Sequence, residues 1–279
     1  MREIDAKQIS SAVKRLCMDA NYYLVEDVLT ALKKYEKEEE SPLGKEILNQ
    51  IIKNADIASK NQMPLCQDTG LTVVFAEVGQ EVHVNGDFNE SIQEGVRQGY
   101  KDGYLRKSIV EDPLRRKNTG DNTPAVISTK LVAGDKIKIT ILPKGGGSEN
   151  MSRIKVLKPA DGEQGVKDFV VETIRIAGGN PCPPLIVGVG IGGTFDKAAY
   201  LAKYSRLRKV GSKHPDPYYA GMEEELLERI NKTGIGPMGL GGRTTAIAVH
   251  IEAHPCHIAS LPVAVNTQCH SARHKTTII

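Results

Sequence analysis

The sequence predicts an α+β fold in which a helical N-terminal layer packs on a mixed β-sheet domain. Apolar residues recur at helical spacing through the first sixty positions, and after Pro64 the pattern changes to short β-rich runs separated by amphipathic helices. There is also no internal repeat and no low-complexity linker. Residues 1–279 therefore read as one domain, with 1–62 as the helical layer and 63–279 as the α+β region.

The elements follow in order. Ile9, Val13 and Leu16 share one helix face, and 25–39 continue in helical register into the charge run KYEKEEE, a solvated face. Ser41-Pro42 starts a third helix, with Ser as N-cap and Pro at the first helical position, where its missing N–H costs nothing. Leu43, Ile47, Leu48, Ile51, Ile52 and Ala55 line its apolar face. LTVVFAEV (71–78) is a strand, and Asp87 or Asn89 caps a helix carrying Ile92, Val96 and Tyr100. PAVISTKLV (124–132) and KIKITIL (136–142) are strands with Ala133-Gly134-Asp135 as the turn between them. VKDFVVETIRI (166–176) is a helix stopped at Gly178-Gly179. PLIVGVGI (184–191) is a short apolar strand, followed by helices around 195–206 and 217–231. TTAIAVHIEA (244–253) and IASLPVAVNTQC (258–269) are again strands, the second broken by Pro262.

Composition excludes several function classes. A formal net charge of +3, from 37 Lys+Arg against 34 Asp+Glu, is too weak to mark a nucleic-acid binder. With four Phe, nine Tyr and no Trp, stacking platforms for single strands are not expected either. The N-terminal MREIDAKQISSAVKRLC has no apolar core and is not a signal peptide. Residues 176–195 carry no charge, but Pro181, Pro183 and Pro184 exclude a spanning helix, so no membrane association is expected. Cysteines at 17, 66, 182, 256 and 269 are odd in number and widely spaced, which is not a disulfide framework and points to a reducing cytoplasm.

Chemistry concentrates at glycines and cysteines. GVGIGG (188–193) matches the dinucleotide-binding pattern, yet the region where its acidic partner should lie is basic, KYSRLRKVGSK (203–213). A dinucleotide-binding module using Gly188 to Gly193 is thus a distant alternative. Cys66, Cys182 and Cys269 are each bracketed by Pro, Gly or polar residues at an element edge, where a thiolate can reach a site. Cys17 sits beside an apolar helix stripe and reads as a core thiol, whereas Cys256, between Pro255 and His257, fits either role. Spacing alone does not define a metal site, and there is no C-x-x-C.

Five motifs occur in order: PLCQDTG (64–70), KNTGDNTP (117–124), KGGGSEN (144–150), CPPLIVGVGIGGT (182–194) and HIASLPVAVNTQCHSARH (257–274). Together they resemble the class I, iron–sulfur-dependent fumarate hydratases. The match is closer to the separate α subunit of the two-subunit form, which is similar to the α subunit of L(+)-tartrate dehydratase. The resemblance implies a hydro-lyase that hydrates fumarate to L-malate, with dehydration of L(+)-tartrate to oxaloacetate as the alternative. It implies a 4Fe–4S cluster on Cys66, Cys182 and Cys269, with Cys256 outside the ligand set. Three thiolates in place of four leave one iron open as a Lewis acid for the substrate's hydroxyl and carboxylate.

The resemblance also assigns substrate contacts for a C4 dicarboxylate. Arg106 matches a carboxylate-binding arginine, although by itself it reads as a solvent-facing charge at a helix end. Gly146 and Gly147 match a loop whose N–H groups approach the substrate, and would otherwise form a tight turn. His257 matches a substrate-contacting histidine. Gln67 and Asp68 follow the first ligand directly, which makes both substrate-binding candidates and Asp68 the candidate acid/base group; its local alternative is an Asx-turn. These are few cations for two carboxylates. The remainder is expected on a β subunit, a separate chain of roughly 200 residues, without which this chain is inactive.

Overall fold

A computed structural model describes residues 1–279. Its helices and mixed sheets form an α+β fold, and no helix is long and apolar enough to cross a membrane. The chain divides into two compact units, Met1–Val25 with Asn54–Gly146 and Arg273–Ile279, and Glu26–Lys53 with Gly147–Ala272.

The first unit begins with β1 (Arg2–Asp5) and α1 (Ala6–Tyr22), capped by Asp5, whose Oδ1 accepts from Lys7 N at 2.7 Å. Helix α2 (Glu26–Glu38) belongs to the second unit, and α3 (Pro42–Asn61) spans the boundary. Strands β2 (Leu71–Gly79) and β3 (Val82–Asn85) precede α4 (Phe88–Asp102), which Asp87 caps by accepting from Glu90 N at 2.8 Å. Strands β4 (Val126–Val132) and β5 (Ile137–Lys144) follow, and β10 (Lys275–Ile278) returns at the C-terminus. The sheet order is β10-β5-β2-β4, while β1 pairs only with β3. Ile9, Val13 and Leu16 of α1 pack with Ile92, Val96 and Tyr100 of α4 over Val74, Ile137, Ile139 and Ile141, forming the core of this unit.

The 133–135 turn connects β4 to β5 as expected, but the two strands do not pair: β2 lies between them, parallel to β4 and antiparallel to β5. The buried, nearly all-apolar β2 takes the central place, where both neighbours cover it. Leu43 is exposed rather than part of an apolar stripe, whereas Ser41 caps α3 as expected, its Oγ accepting from Gly44 N at 3.1 Å.

After α2, the second unit continues from α5 (Gly146–Glu149), whose first residue closes the first unit, through β6 (Arg153–Leu157) and α6 (Gly162–Ala177). Strand β7 (Leu185–Gly192), α7 (Phe195–Tyr204), α8 (Pro217–Asn231), β8 (Ala246–His254) and β9 (Leu261–Gln268) complete it. The sheet order is β6-β9-β7-β8. Pro262 does not break β9; it stands opposite Val156 near the strand's start.

Successive side chains of a strand face opposite ways. Along β7, Leu185, Val187, Val189 and Ile191 enter the main core with Val170, Ile174, Leu226 and Ile230. The intervening glycines face α7: a Cβ on Gly188 would lie 2.0 Å from Ala202 O, and one on Gly190 2.1 Å from Ala198 O. The GVGIGG pattern is therefore explained by helix-on-strand packing. Asp196, accepting from Thr194 Oγ1 at 2.5 Å, puts a carboxylate in the first turn of α7, where a dinucleotide would need its phosphates.

One buried carboxylate ties this unit together. Glu39, only 1% exposed, accepts from Ser41 N at 3.0 Å and Thr244 N at 2.7 Å, and also from the N–H groups of Glu40 and Arg243. Burial opposes its charge, but these hydrogen bonds outweigh burial and hold its pKa down at about 2.

Candidate active site

In the first unit the PLCQDTG segment forms a turn before β2. Cys66 is half-buried, with its Sγ 3.3 Å from Gln67 Oε1. Asp68 is held at both oxygens: Oδ1 accepts from Gly70 N at 3.0 Å and Oδ2 from Gly146 N at 2.7 Å. The Asx-turn expected from local sequence is thus present, and the second oxygen adds a long-range anchor. A Cβ at Gly145 would stand 3.0 Å from Asp68 Oδ2, a close approach that would press on this carboxylate.

The turn is fixed from several directions. Tyr100 Oη donates to the carbonyls of Thr69 and Gly70, both at 2.9 Å. Thr69 Oγ1 donates to Arg106 O at 2.9 Å, which sets the Arg106 loop beside the turn. Asn122, fully buried within KNTGDNTP, donates to Gly70 O at 3.2 Å and accepts from Ser108 N at 2.7 Å. The motif is therefore a clamp between the Arg106 loop and the Asp68 turn. The Arg106 side chain is exposed, as a group that meets an incoming anion must be. Arg273, 2% exposed, donates through Nη2 to Asp68 O, while its Nε and Nη1 have no protein partner.

In the second unit, topology brings Cys182 and Cys269 to the same end of the sheet. Cys182 precedes β7 and Cys269 follows β9, and these strands are antiparallel neighbours with Ile186 opposite Gln268. Cys182 adopts φ +56°, and its carbonyl accepts from His270 N at 3.3 Å and meets His270 Nδ1 at 3.0 Å. Gly147 is exposed at the start of α5, where a Cβ would lie 3.2 Å from Asn180 O. Behind Cys269, Gln268 Nε2 lies 3.7 Å from its Sγ. Arg206, 3% exposed, donates through Nη1 to Gln268 Oε1 at 2.5 Å, and its Nε and Nη2 are buried without partners. Burial pushes the Arg206 pKa down to about 10, opposed by Glu149 and Cys269, so it remains a cation at neutral pH.

His257 lies in the exposed loop after β8, its Nδ1 accepting from Ala259 N at 3.1 Å. With Cys256 it borders a cavity of about 380 Å³ lined by Ile191, Tyr219, Met222 and Leu261. Glu163 also lines it, and no Lys or Arg does, so this cavity by itself is unsuited to a dianion. Cys17 lies in the core of the first unit, and burial pushes its thiol up to about 12.

The donor chemistry fits an iron–sulfur cluster. None of the five cysteines is in a disulfide, and Cys66, Cys182 and Cys269 are half-buried, neither sealed in a core nor fully in solvent. No group of three or more His, Cys, Asp or Glu converges on a single ion. A buried guanidinium with two unpartnered nitrogens, within electrostatic reach of Cys269, is costly unless it faces an anionic group. Neither Arg206 nor Arg273 is marked by sequence reasoning. Arg206 hides in a basic stretch that reads as solvated, and the only signal for Arg273 is its place four residues after Cys269 within a motif.

The profile described as fumarate hydratase (Fumerase) matches residues 10–278. The chain belongs to the fumarate hydratase family. Every candidate site residue lies inside the span matched to the fumarate hydratase family. The chain is 47% identical over 273 residues to a putative L(+)-tartrate dehydratase subunit alpha of Methanocaldococcus jannaschii, covering 95% of each chain. It is 37% identical to the L(+)-tartrate dehydratase subunit alpha of Escherichia coli O157:H7, over 91% of this chain and 85% of the relative. The K12 strain's protein of the same name is 36% identical over 257 residues.

Proposed function

We propose that this chain is the α subunit of a 4Fe–4S-dependent hydro-lyase that interconverts fumarate and L-malate together with a separate β subunit. The observation that carries this reading is the pair Cys182 and Cys269, set at the same end of two adjacent strands, with the buried Arg206 cation linked to Cys269 through Gln268. Cys66, Cys182 and Cys269 are the ligand set. When bound, the cluster supplies one iron without a protein ligand, a Lewis acid that polarises the substrate hydroxyl and one carboxylate.

The chain's own residues do the rest. Arg106 binds a substrate carboxylate through a charge-assisted pair. Its backbone, tied to Thr69, keeps that cation next to the Asp68 turn. Asp68, oriented by Gly70 and Gly146, is the acid/base group on this chain; it takes the proton from the carbon next to a carboxylate and returns it in hydration. Gln67, the Gly147 backbone and His257 complete the polar contacts, while the Gly146 N–H is engaged by Asp68 and acts through it. The β subunit provides the further donors that a dianion requires.

The names of the relatives favour a second reading, dehydration of L(+)-tartrate. The two substrates differ by one hydroxyl and need the same cluster. The test is turnover of L-malate, fumarate and L(+)-tartrate by the anaerobically reconstituted αβ complex. Malate and fumarate turnover is expected. Activity on tartrate alone selects the second reading, and activity on none of the three overturns both.

A further inference from the structure

We propose that Arg206 and Gln268 are positioning residues for Cys269: the guanidinium orients the Gln268 amide so that its NH2 group donates to the Cys269 sulfur. This inference rests on the reading of Cys269 as a cluster ligand.

The geometry fixes the direction of every hydrogen bond in the chain of contacts. A side-chain amide has one end that accepts and one that donates, and its orientation is set by its partners. Arg206 resolves it here. A guanidinium has only donors, so the group 2.5 Å from its Nη1 must be the amide oxygen. The NH2 group is then turned toward Cys269, with Nε2 3.7 Å from Sγ. Gln268 is 2% exposed, so water does not compete for the amide.

The Arg206 charge is not taken up by a hydrogen-bonded carboxylate. The carboxylate whose charge acts on it, Glu149, has Lys203 at 2.5 Å and accepts from Asn266 at 3.1 Å. None of the Arg206 nitrogens is hydrogen-bonded to a carboxylate, and only Nη1 has a partner. Burying a cation this way is unfavourable for the protein alone. It becomes useful if the sulfur beside it carries negative charge. Hydrogen bonds to ligating sulfurs and nearby positive charge favour the more reduced, more negative state of a cluster, and second-layer contacts fix the ligand's orientation. The structure thus gives Cys269 a directed donor and a buried cation behind it.

The test uses the anaerobically reconstituted αβ holoenzyme with wild-type chain, Gln268→Glu and Arg206→Gln. Gln268→Glu keeps shape and an acceptor for Arg206 but places an oxygen against the sulfur. Arg206→Gln removes the charge and frees the amide to turn. Both are expected to shift the cluster's reduction potential downward and to lose iron to EDTA about 10- to 100-fold faster. Circular dichroism of the cluster-free chains identifies a variant that does not fold, and Gln268→Glu carries the test if Arg206→Gln is such a variant. A merely structural role would leave the potential where it is. Wild-type potential and iron-loss rate in folded Gln268→Glu overturn the inference alone. A wild-type chain that takes up no cluster overturns the iron–sulfur reading as well.

Discussion

Replacing Glu39 with Gln tests whether one buried carboxylate holds the second unit together. In the native chain its two oxygens accept N–H groups from Glu40, Ser41, Arg243 and Thr244, joining the end of α2 to the approach to β8. An amide retains one oxygen, but it turns an NH2 group toward donors that lose their acceptor. The magnitude follows from the carboxyl itself. A folded pKa of about 2 against an ordinary 4.5 corresponds to about 3 kcal/mol of stability, present above pH 4.5 and lost as pH falls toward 2. Because Gln still serves part of the network, the expected loss at pH 7 is about 2–3 kcal/mol. Urea unfolding followed by circular dichroism reads it as a lower midpoint at unchanged slope. The gap between the two proteins should narrow as pH drops below 4.5, because protonation does to Glu39 what the substitution does. Equal stability at pH 7, or a gap that stays constant down to pH 3, would refute this reasoning.

Other consequences concern different groups. Burial, helped by the Arg208 charge, pushes His250 down to about 4, so the chain should lose stability as pH falls from 6.5 toward 4. His250→Phe should flatten unfolding curves in that window, and an unchanged pH slope would disprove the assignment. Cys17→Ser should leave iron content unaltered while lowering stability by about 1–2 kcal/mol, as measured by iron assay and urea midpoint. Loss of the cluster in that variant would contradict its place in the core.

Local signals in the sequence led directly to structure where one short segment decided the outcome. Asp87 caps α4, Ser41 caps α3 and Gly178 ends α6, because capping depends on a few neighbouring residues. Pairing between distant strands was not legible. The turn at 133–135 is real, but which strand would lie beside β5 depended on how β2 buries both its faces. The four-residue β1 and β10 lack any local signature, and their partners β3 and β5 lie far along the chain.

The candidate site divides in the same way. Motifs marked Cys66, Asp68, Cys182 and Cys269 as candidates because cysteine and turn residues stand out at element edges. Arg206 and Arg273 did not stand out, since an arginine in a basic stretch is usually solvated and only three-dimensional packing shows these two buried. Asn122 was visible only as part of a motif, and its role as a clamp emerged from its two hydrogen bonds.

The central claim is that three particular cysteines hold a cluster with one iron open. The most direct measurement is iron and sulfide content, with the visible absorption spectrum, of anaerobically reconstituted wild-type, Cys66→Ser, Cys182→Ser, Cys269→Ser and Cys256→Ser chains. About four irons per chain are predicted for wild type and Cys256→Ser, with loss of the cluster in the other three. An intact cluster in Cys269→Ser, or none in the wild-type chain, would contradict the account.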